Sequence, residues 1–130
     1  MDTITFRYLT SLVVSEKLDM RLIDVVTAYL YGDLDTDIYM KILEGLALLE
    51  AKPRSTYSIK LRRALYGLKQ SGRMWYNPLS EYLSREGYEN NPICLCVFIK
   101  KFANGFAIVA VYVDDINLIG SPEELKNERP

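Results

Sequence analysis

An apolar run interrupted by two adjacent aspartates, between Phe106 and Gly120, places the strongest constraint on the fold. The run is rich in β-branched residues before the aspartates and largely apolar again after them. This pattern predicts a strand, a tight turn and a returning strand, with Asp114 and Asp115 at the tip. Two adjacent carboxylates are costly to bury without a cation, which basic side chains or a divalent metal can supply. A solvent-exposed Asp-Asp turn is equally compatible with this pattern on its own.

Basic residues are concentrated in one block of a chain whose overall formal charge is only −1. No Asp or Glu occurs over 51–80, whereas seven of the 16 basic residues lie there, interleaved with tyrosines and a tryptophan. Cations for phosphates and aromatic faces for bases predict contact with nucleic acid. A solvated basic helix and loop fits the block equally well. The candidate nucleic-acid contacts are Lys60, Arg62, Arg63, Lys69 and Arg73.

The chain has two cysteines and no histidine. A zinc site needs about four ligands, which this chain does not supply from Cys and His. Cys94 and Cys96 are expected on a strand, where a disulfide between such near neighbours is geometrically poor. We therefore expect two partly buried thiols in a reducing compartment. Without histidine, any catalysis must depend on carboxylates and metal.

The remaining pattern predicts a mixed order of helices and strands. Local patterns predict a helix over 5–17, with Thr3 or Thr5 as N-cap, a mostly helical segment over 64–85 that Gly67 interrupts, and a capping-box helix after Ser121. Strands are predicted over 18–26, which contains Asp24, and over 38–40, 57–61 and 94–101. A turn or short helical piece is predicted over 27–32, and a loop over 43–56. Pro78 inside the second long helix costs ~3 kcal/mol and predicts a kink or a damaged helix. The aspartates at 33, 35 and 37 lack the glycine and distal glutamate of an EF-hand, so we expect an acidic surface turn.

A length of 130 residues suits one domain, and this order favours an α+β fold, an antiparallel sheet with helices packed on one face. Asp24, at the end of one strand, would then lie near Asp114 and Asp115 on one sheet edge. Three carboxylates are suitable ligands for Mg²⁺ or Mn²⁺. Two such ions ~3.5–4 Å apart can support phosphoryl transfer, the chemistry of a nucleic-acid polymerase.

Five segments in order resemble the reverse transcriptase of copia-type (long-terminal-repeat) retrotransposons. They are Ile23-Asp24-Val25-Val26-Thr27-Ala28-Tyr29-Leu30-Tyr31-Gly32, Ile38-Tyr39-Met40, Ala64-Leu65-Tyr66-Gly67-Leu68-Lys69-Gln70, Trp75-Tyr76 and Tyr112-Val113-Asp114-Asp115. The resemblance implies a partial polymerase palm over 1–130, with a ferredoxin-like or RNA-recognition-motif-like sheet, incomplete fingers and no thumb.

The same resemblance implies the roles of individual residues. Asp24, Asp114 and Asp115 would be catalytic and would hold two Mg²⁺ or Mn²⁺ ions. Tyr29 would stack under the incoming sugar and exclude a 2′-hydroxyl. The other substrate contacts would be Gln70, at the incoming nucleotide or template, and Tyr112 and Val113, beside the primer end.

Implied partners are an RNA or DNA template-primer, deoxynucleoside triphosphates and the rest of the polyprotein, including integrase and RNase H. The implied location is a cytoplasmic virus-like particle, with no membrane association. Triphosphate-binding Lys and Arg residues would lie upstream of this chain. Departures from the family pattern occur at Leu43-Glu44-Gly45-Leu46, Leu95 and Pro78. They support an alternative hypothesis, a non-catalytic remnant that binds nucleic acid weakly at most; an unrelated α+β binding domain is a third.

Overall fold

A computed structural model describes residues 2–45 and 57–127 of the chain. Backbone contacts divide the chain into two compact units, Met1–Ala28 with Asn77–Pro130, and Tyr29–Tyr76. The boundary falls within a helix, between Tyr76 and Asn77. Among the described residues, no helix has the length and apolar character needed to cross a membrane.

The first unit is built on a five-stranded antiparallel sheet in the order β1-β7-β6-β5-β4. Its strands are β1 (Asp19–Asp24), β4 (Glu89–Asn90), β5 (Val97–Phe102), β6 (Gly105–Tyr112) and β7 (Asp115–Gly120). Its helices are α1 (Thr3–Ser15), the second half of α2 (Ser71–Arg85) and α3 (Pro122–Asn127). The α+β class and the hairpin of β6 and β7 are confirmed.

The helices lie on both faces of the sheet, so the prediction that they share one face is wrong. Leu9 of α1 packs with Ile108 and Ala110 of β6. On the opposite face, a cavity is lined by Leu79 of α2 together with Val109 of β6. Successive residues of a strand point to opposite faces. Because β6 is apolar at both sets of positions, it needs a covering helix on each side.

Several helix boundaries differ from the predicted ones because local hydrogen bonds, rather than hydrophobic periodicity, determine them. Asp2, rather than Thr3 or Thr5, caps α1, because its carboxylate accepts a hydrogen bond from the Thr5 amide at 2.7 Å. Residues 64–70 form turns instead of helix. Gly67 has a φ of +95° there, and the buried Ser71 hydroxyl donates to the Leu65 carbonyl at 2.6 Å, so α2 begins at Ser71. The helix then runs unbroken through the exposed Pro78.

The C-terminal helix begins as its sequence predicts. The Ser121 hydroxyl accepts a hydrogen bond from the Glu124 amide and donates to the Glu124 carboxylate at 2.9 Å. Leu125 packs against the sheet where Gly120 has no side chain: a Cβ atom on Gly120 would lie 3.0 Å from the Leu125 methyl group. This close approach anchors α3 on β6 and β7.

The second unit consists of short elements. A 3-10 helix spans Ala28–Tyr31, as expected, and β2 (Tyr39–Lys41) pairs antiparallel with β3 (Ser58–Lys60). An isolated bridge joins Asp33 to Arg63. Most of the predicted loop over 43–56 lies outside the described residues.

Candidate active site at the sheet edge

The register of β1 and β7 brings the predicted catalytic aspartates to one end of the sheet. Asp24 is the last residue of β1 and lies directly opposite Asp115, the first residue of β7. The Val25 amide donates to the Asp114 carbonyl at 2.9 Å and continues the pairing one step beyond the strands. Two chain segments about 90 residues apart in sequence thus place three carboxylate-bearing residues side by side.

Backbone strain accompanies these aspartates. The loop between β6 and β7 has only two residues, and its first residue, Val113, has a φ of +54°. Thr27, three residues after Asp24, has a φ of +56°. Left-handed backbone is unfavourable for β-branched side chains and costs on the order of 1–3 kcal/mol at each position. Such strain is concentrated at functional sites in proteins, where it fixes the direction of a neighbouring side chain.

The side chains at this edge are accessible to a ligand. Asp24 and Asp115 are exposed and Asp114 is half-buried. Within residues 2–45 and 57–127, no group of three or more His, Cys, Asp or Glu side chains is gathered closely enough to hold a metal ion. The three carboxylates nevertheless supply only oxygen donors, which matches the preference of Mg²⁺ and Mn²⁺.

A groove of about 630 Å³ lies beside Asp115 on the α1 side of the sheet. Asp115 and Tyr112 line it together with Phe6 of α1, Met20 of β1 and the buried Asn117 of β7. Tyr112 is directly opposite Asp115 across the hairpin and about half exposed. No local pattern indicated that Phe6, Met20 and Asn117 line a common groove, because their proximity depends on the strand register.

Tyr29 and Gln70 both belong to the second unit. The Tyr29 ring lies 4.5 Å from the Tyr66 ring, centre to centre, at a tilt of 34°. Its hydroxyl is 3.9 Å from the position that a Cβ atom on Gly72 would take. Gln70 is half-buried immediately before α2, and its carbonyl accepts from the Met74 amide at 3.0 Å. The start of α2 therefore lies close to Tyr29. Tyr66 stands in the basic block and in the third family-like segment, but the sequence did not predict its ring contact with Tyr29.

Three of the five predicted nucleic-acid contacts are paired with the acidic turn. The Asp37 carboxylate contacts Lys60 at 2.7 Å, Asp35 contacts Arg73 at 2.7 Å, and Asp33 pairs with Arg63. The hydrogen bond to Asp37 raises the pKa of Lys60. All three pairs are exposed, as are Arg62 and Lys69. The aspartates at alternate positions are indeed a surface turn, and they offset much of the positive charge of the block.

Comparison with known proteins decides the family. The family described as reverse transcriptase (RNA-dependent DNA polymerase) matches residues 2–128. The chain belongs to the reverse transcriptase family. Its sequence is 36% identical over 122 residues to the retrovirus-related Pol polyprotein from transposon TNT 1-94 of Nicotiana tabacum, and 36% identical over 121 residues to that from transposon RE1 of Arabidopsis thaliana. Each match covers 93% of this chain.

A more distant relative is the truncated transposon Ty1-A Gag-Pol polyprotein of Saccharomyces cerevisiae, 33% identical over 97 residues and 74% of this chain. The predicted copia-type retrotransposon family is thereby confirmed. This reverse transcriptase chain spans only 9% and 8% of the length of the tobacco and Arabidopsis polyproteins. No solved structure matches it significantly.

Proposed function

We propose that this chain is the palm portion of an RNA-directed DNA polymerase, with Asp24, Asp114 and Asp115 as its catalytic, metal-binding residues. The observation that carries the proposal is the pairing of Asp24 with Asp115 across β1 and β7, with Asp114 in the adjoining turn. Directly opposed carboxylates are unfavourable in a sheet, and a divalent cation between them would remove the repulsion.

The aspartates would bind two Mg²⁺ or Mn²⁺ ions, which in two-metal sites stabilise both the attacking and the leaving oxygens of phosphoryl transfer. Asp24 and Asp115 present exposed carboxylates from two paired strands, so the sheet fixes the distance between their backbones. Strain at Val113 would fix the direction of the hairpin tip. Tyr112 and Val113, both exposed, would contact the primer end from that tip.

Tyr29 would select the sugar of the incoming nucleotide. Its ring packs against Tyr66, and its hydroxyl lies beside Gly72 at the start of α2. A ring held in this way can reject a 2′-hydroxyl by steric overlap, since it cannot move aside without losing its packing. Gln70, which precedes α2, would contact the nucleotide or template.

The partners would be a template-primer, deoxynucleoside triphosphates and other parts of a Pol polyprotein, including integrase and RNase H, within a cytoplasmic virus-like particle. Among the five candidate cations, which all lie in the described part of the chain, Arg62 and Lys69 are exposed and could take this role without exchanging an ion pair with the acidic turn. The other three candidates, Lys60, Arg63 and Arg73, would have to exchange a carboxylate for a phosphate.

A second candidate function is a non-catalytic remnant that binds nucleic acid weakly. Two observations favour it. Within the described ranges the carboxylates are not gathered into a metal-holding group, and the basic block is partly neutralised.

Thermal unfolding with and without Mn²⁺ separates the two candidates. An intact site raises the free energy of unfolding by about 1.4 kcal/mol when free Mn²⁺ is ten times its dissociation constant. Asp115→Asn should remove most of this gain. Asp19→Asn is the matched control, because Asp19 lies opposite Gly120 at the other end of the same strand pair. If Mn²⁺ stabilises neither the parent nor the control, the metal site is absent and the remnant hypothesis is favoured.

A further inference from the structure

The two cysteines lie in a tight turn that precedes β5, not on the strand where periodicity placed them. The Asn91 side-chain oxygen accepts hydrogen bonds from the amides of Ile93, at 2.8 Å, and Cys94, at 3.0 Å. The Val97 amide donates to the Cys94 carbonyl at 2.9 Å and closes the turn. The geometric objection to a disulfide on an extended strand therefore does not apply here.

Within this turn the two sulfur atoms are in contact. The Cys94 and Cys96 Sγ atoms are 3.0 Å apart, and both cysteines are free and half-buried. The hydroxyl of Thr5, on α1, lies 3.6 Å from the Cys94 sulfur. The Cys96 carbonyl accepts from the Val111 amide of β6 at 2.8 Å, so the turn is fixed to the sheet on its other side. Sulfurs held this close need only a small movement to bond.

The two thiols differ in acidity. The hydrogen bond from Cys96, with a smaller contribution from the Thr5 hydroxyl, holds the pKa of the Cys94 thiol below its usual range. Burial and the shared hydrogen bond raise the pKa of the Cys96 thiol. Because the thiolate is the nucleophile in thiol–disulfide exchange, Cys94 is the attacking residue and Cys96 the resolving one.

Small reagents can reach this pair. Cys94 lines an open, largely apolar cavity of about 770 Å³ between α1 and the sheet. The residues on either side of it in the turn are exposed, with Ile93 at 95% and Leu95 at 63% of full accessibility. A reagent approaching from solvent therefore meets Cys94 before the more buried core of the unit.

We propose that Cys94 and Cys96 form a reversible dithiol site that is oxidised by low-molecular-weight disulfides of the glutathione class. The Cys94 thiolate attacks one sulfur of the small disulfide, the S–S bond breaks, and one thiolate leaves. The Cys96 thiolate then attacks the Cys94 sulfur and releases the second small thiolate. The two protons lost by the cysteines are taken up by the two leaving thiolates, so one disulfide is reduced to two thiols as the protein dithiol is oxidised.

The test equilibrates the 130-residue chain in buffers of reduced and oxidised glutathione, quenches it by alkylation and measures the intact mass. The native chain should become a monomer lacking two hydrogen atoms and resistant to alkylation, and dithiothreitol should reverse the change. The same equilibrium in concentrated urea is the control. Because the fold holds the two sulfurs in contact, the equilibrium constant for forming the disulfide should be larger in native buffer than in urea, by on the order of tenfold or more.

Two variants follow the order of attack. Cys96→Ser should stop at a mixed disulfide with glutathione on Cys94, whereas Cys94→Ser should form its mixed disulfide more slowly. Equal oxidation constants in native buffer and in urea would overturn the proposal. So would a mixed disulfide on Cys94 that is not converted to the Cys94–Cys96 disulfide, or a dimer linked by a disulfide between two chains. If a variant fails to fold, the comparison of native and unfolded wild type still decides.

Discussion

Neutralising the three aspartates of the acidic turn should increase the affinity of the basic block for nucleic acid. The triple variant Asp33→Asn, Asp35→Asn, Asp37→Asn lacks the carboxylates that form ion pairs with Arg63, Arg73 and Lys60. Exposed ion pairs contribute little to stability, so the variant should remain folded. Each cation released to a single-stranded phosphate adds about 0.7 to the slope of log affinity against log salt. Three released cations should steepen that slope by about 2, and affinity should fall roughly twentyfold more than in the parent between ~50 and ~200 mM salt.

Fluorescence anisotropy of a labelled single-stranded RNA, titrated at several salt concentrations, measures this slope. The matched control is Glu16→Gln, Asp19→Asn, Glu89→Gln, which makes the same change in net charge at exposed positions of the first unit. A slope that rises equally in both triple variants would show a general charge effect. A slope unchanged from the parent would show that Lys60, Arg63 and Arg73 do not contact phosphates, and the assignment of the block would be withdrawn.

The remaining predictions concern the helix, the sugar and the chain as a whole. Pro78→Ala should raise the free energy of unfolding by ~1–3 kcal/mol in denaturant titration, because it restores a backbone donor in α2; an unchanged midpoint would mean that the helix accommodates proline without cost. In a complete relative, the substitution equivalent to Tyr29→Ala should increase ribonucleotide incorporation and leave Mn²⁺ binding unchanged, and equal sugar discrimination would refute the steric role. The 130-residue chain alone should not extend a primer above an Asp114→Asn, Asp115→Asn control, because it spans under a tenth of its polyprotein relatives and positioning supplies much of the catalysis. Extension above that control would show that the palm suffices.

Local patterns predicted the elements whose determinants are close in sequence. The hairpin around Asp114, the strand ending at Asp24 and the capping box at Ser121 each depend on alternation or spacing within a few residues. The start of α2 was missed because a glycine with positive φ and a side-chain hydrogen bond, rather than hydrophobic periodicity, end the preceding turns. The two cysteines are partly buried free thiols, as predicted, but their placement on a strand is wrong, because the Asn91 side chain builds a turn where apolar residues favoured a strand.

Local sequence patterns could not predict contacts between segments that are distant in sequence. Asp33 and Arg63 are 30 residues apart, and Asp35 and Arg73 are 38 apart, so neither the acidic turn nor the basic block indicates that they pair. The resemblance to a family supplied roles for individual residues but no account of their contacts. The composition of the basic block likewise assigned Arg63 and Arg73 to nucleic acid without accounting for the carboxylates beside them.

Unfavourable local features collect at the sheet edge where the aspartates lie. Asp24 of β1 lies directly opposite Asp115 of the adjacent strand β7, and like charges in such a pair destabilise a sheet. Val113, which precedes Asp114, and Thr27, three residues after Asp24, are both β-branched and hold left-handed backbone. The rest of the sheet departs much less from local preference, with apolar pairs such as Ile108 with Ile119 and Val109 with Leu118 in its centre. Local rules are usually broken where function requires it, and this asymmetry between edge and centre supports a catalytic edge over a remnant fold.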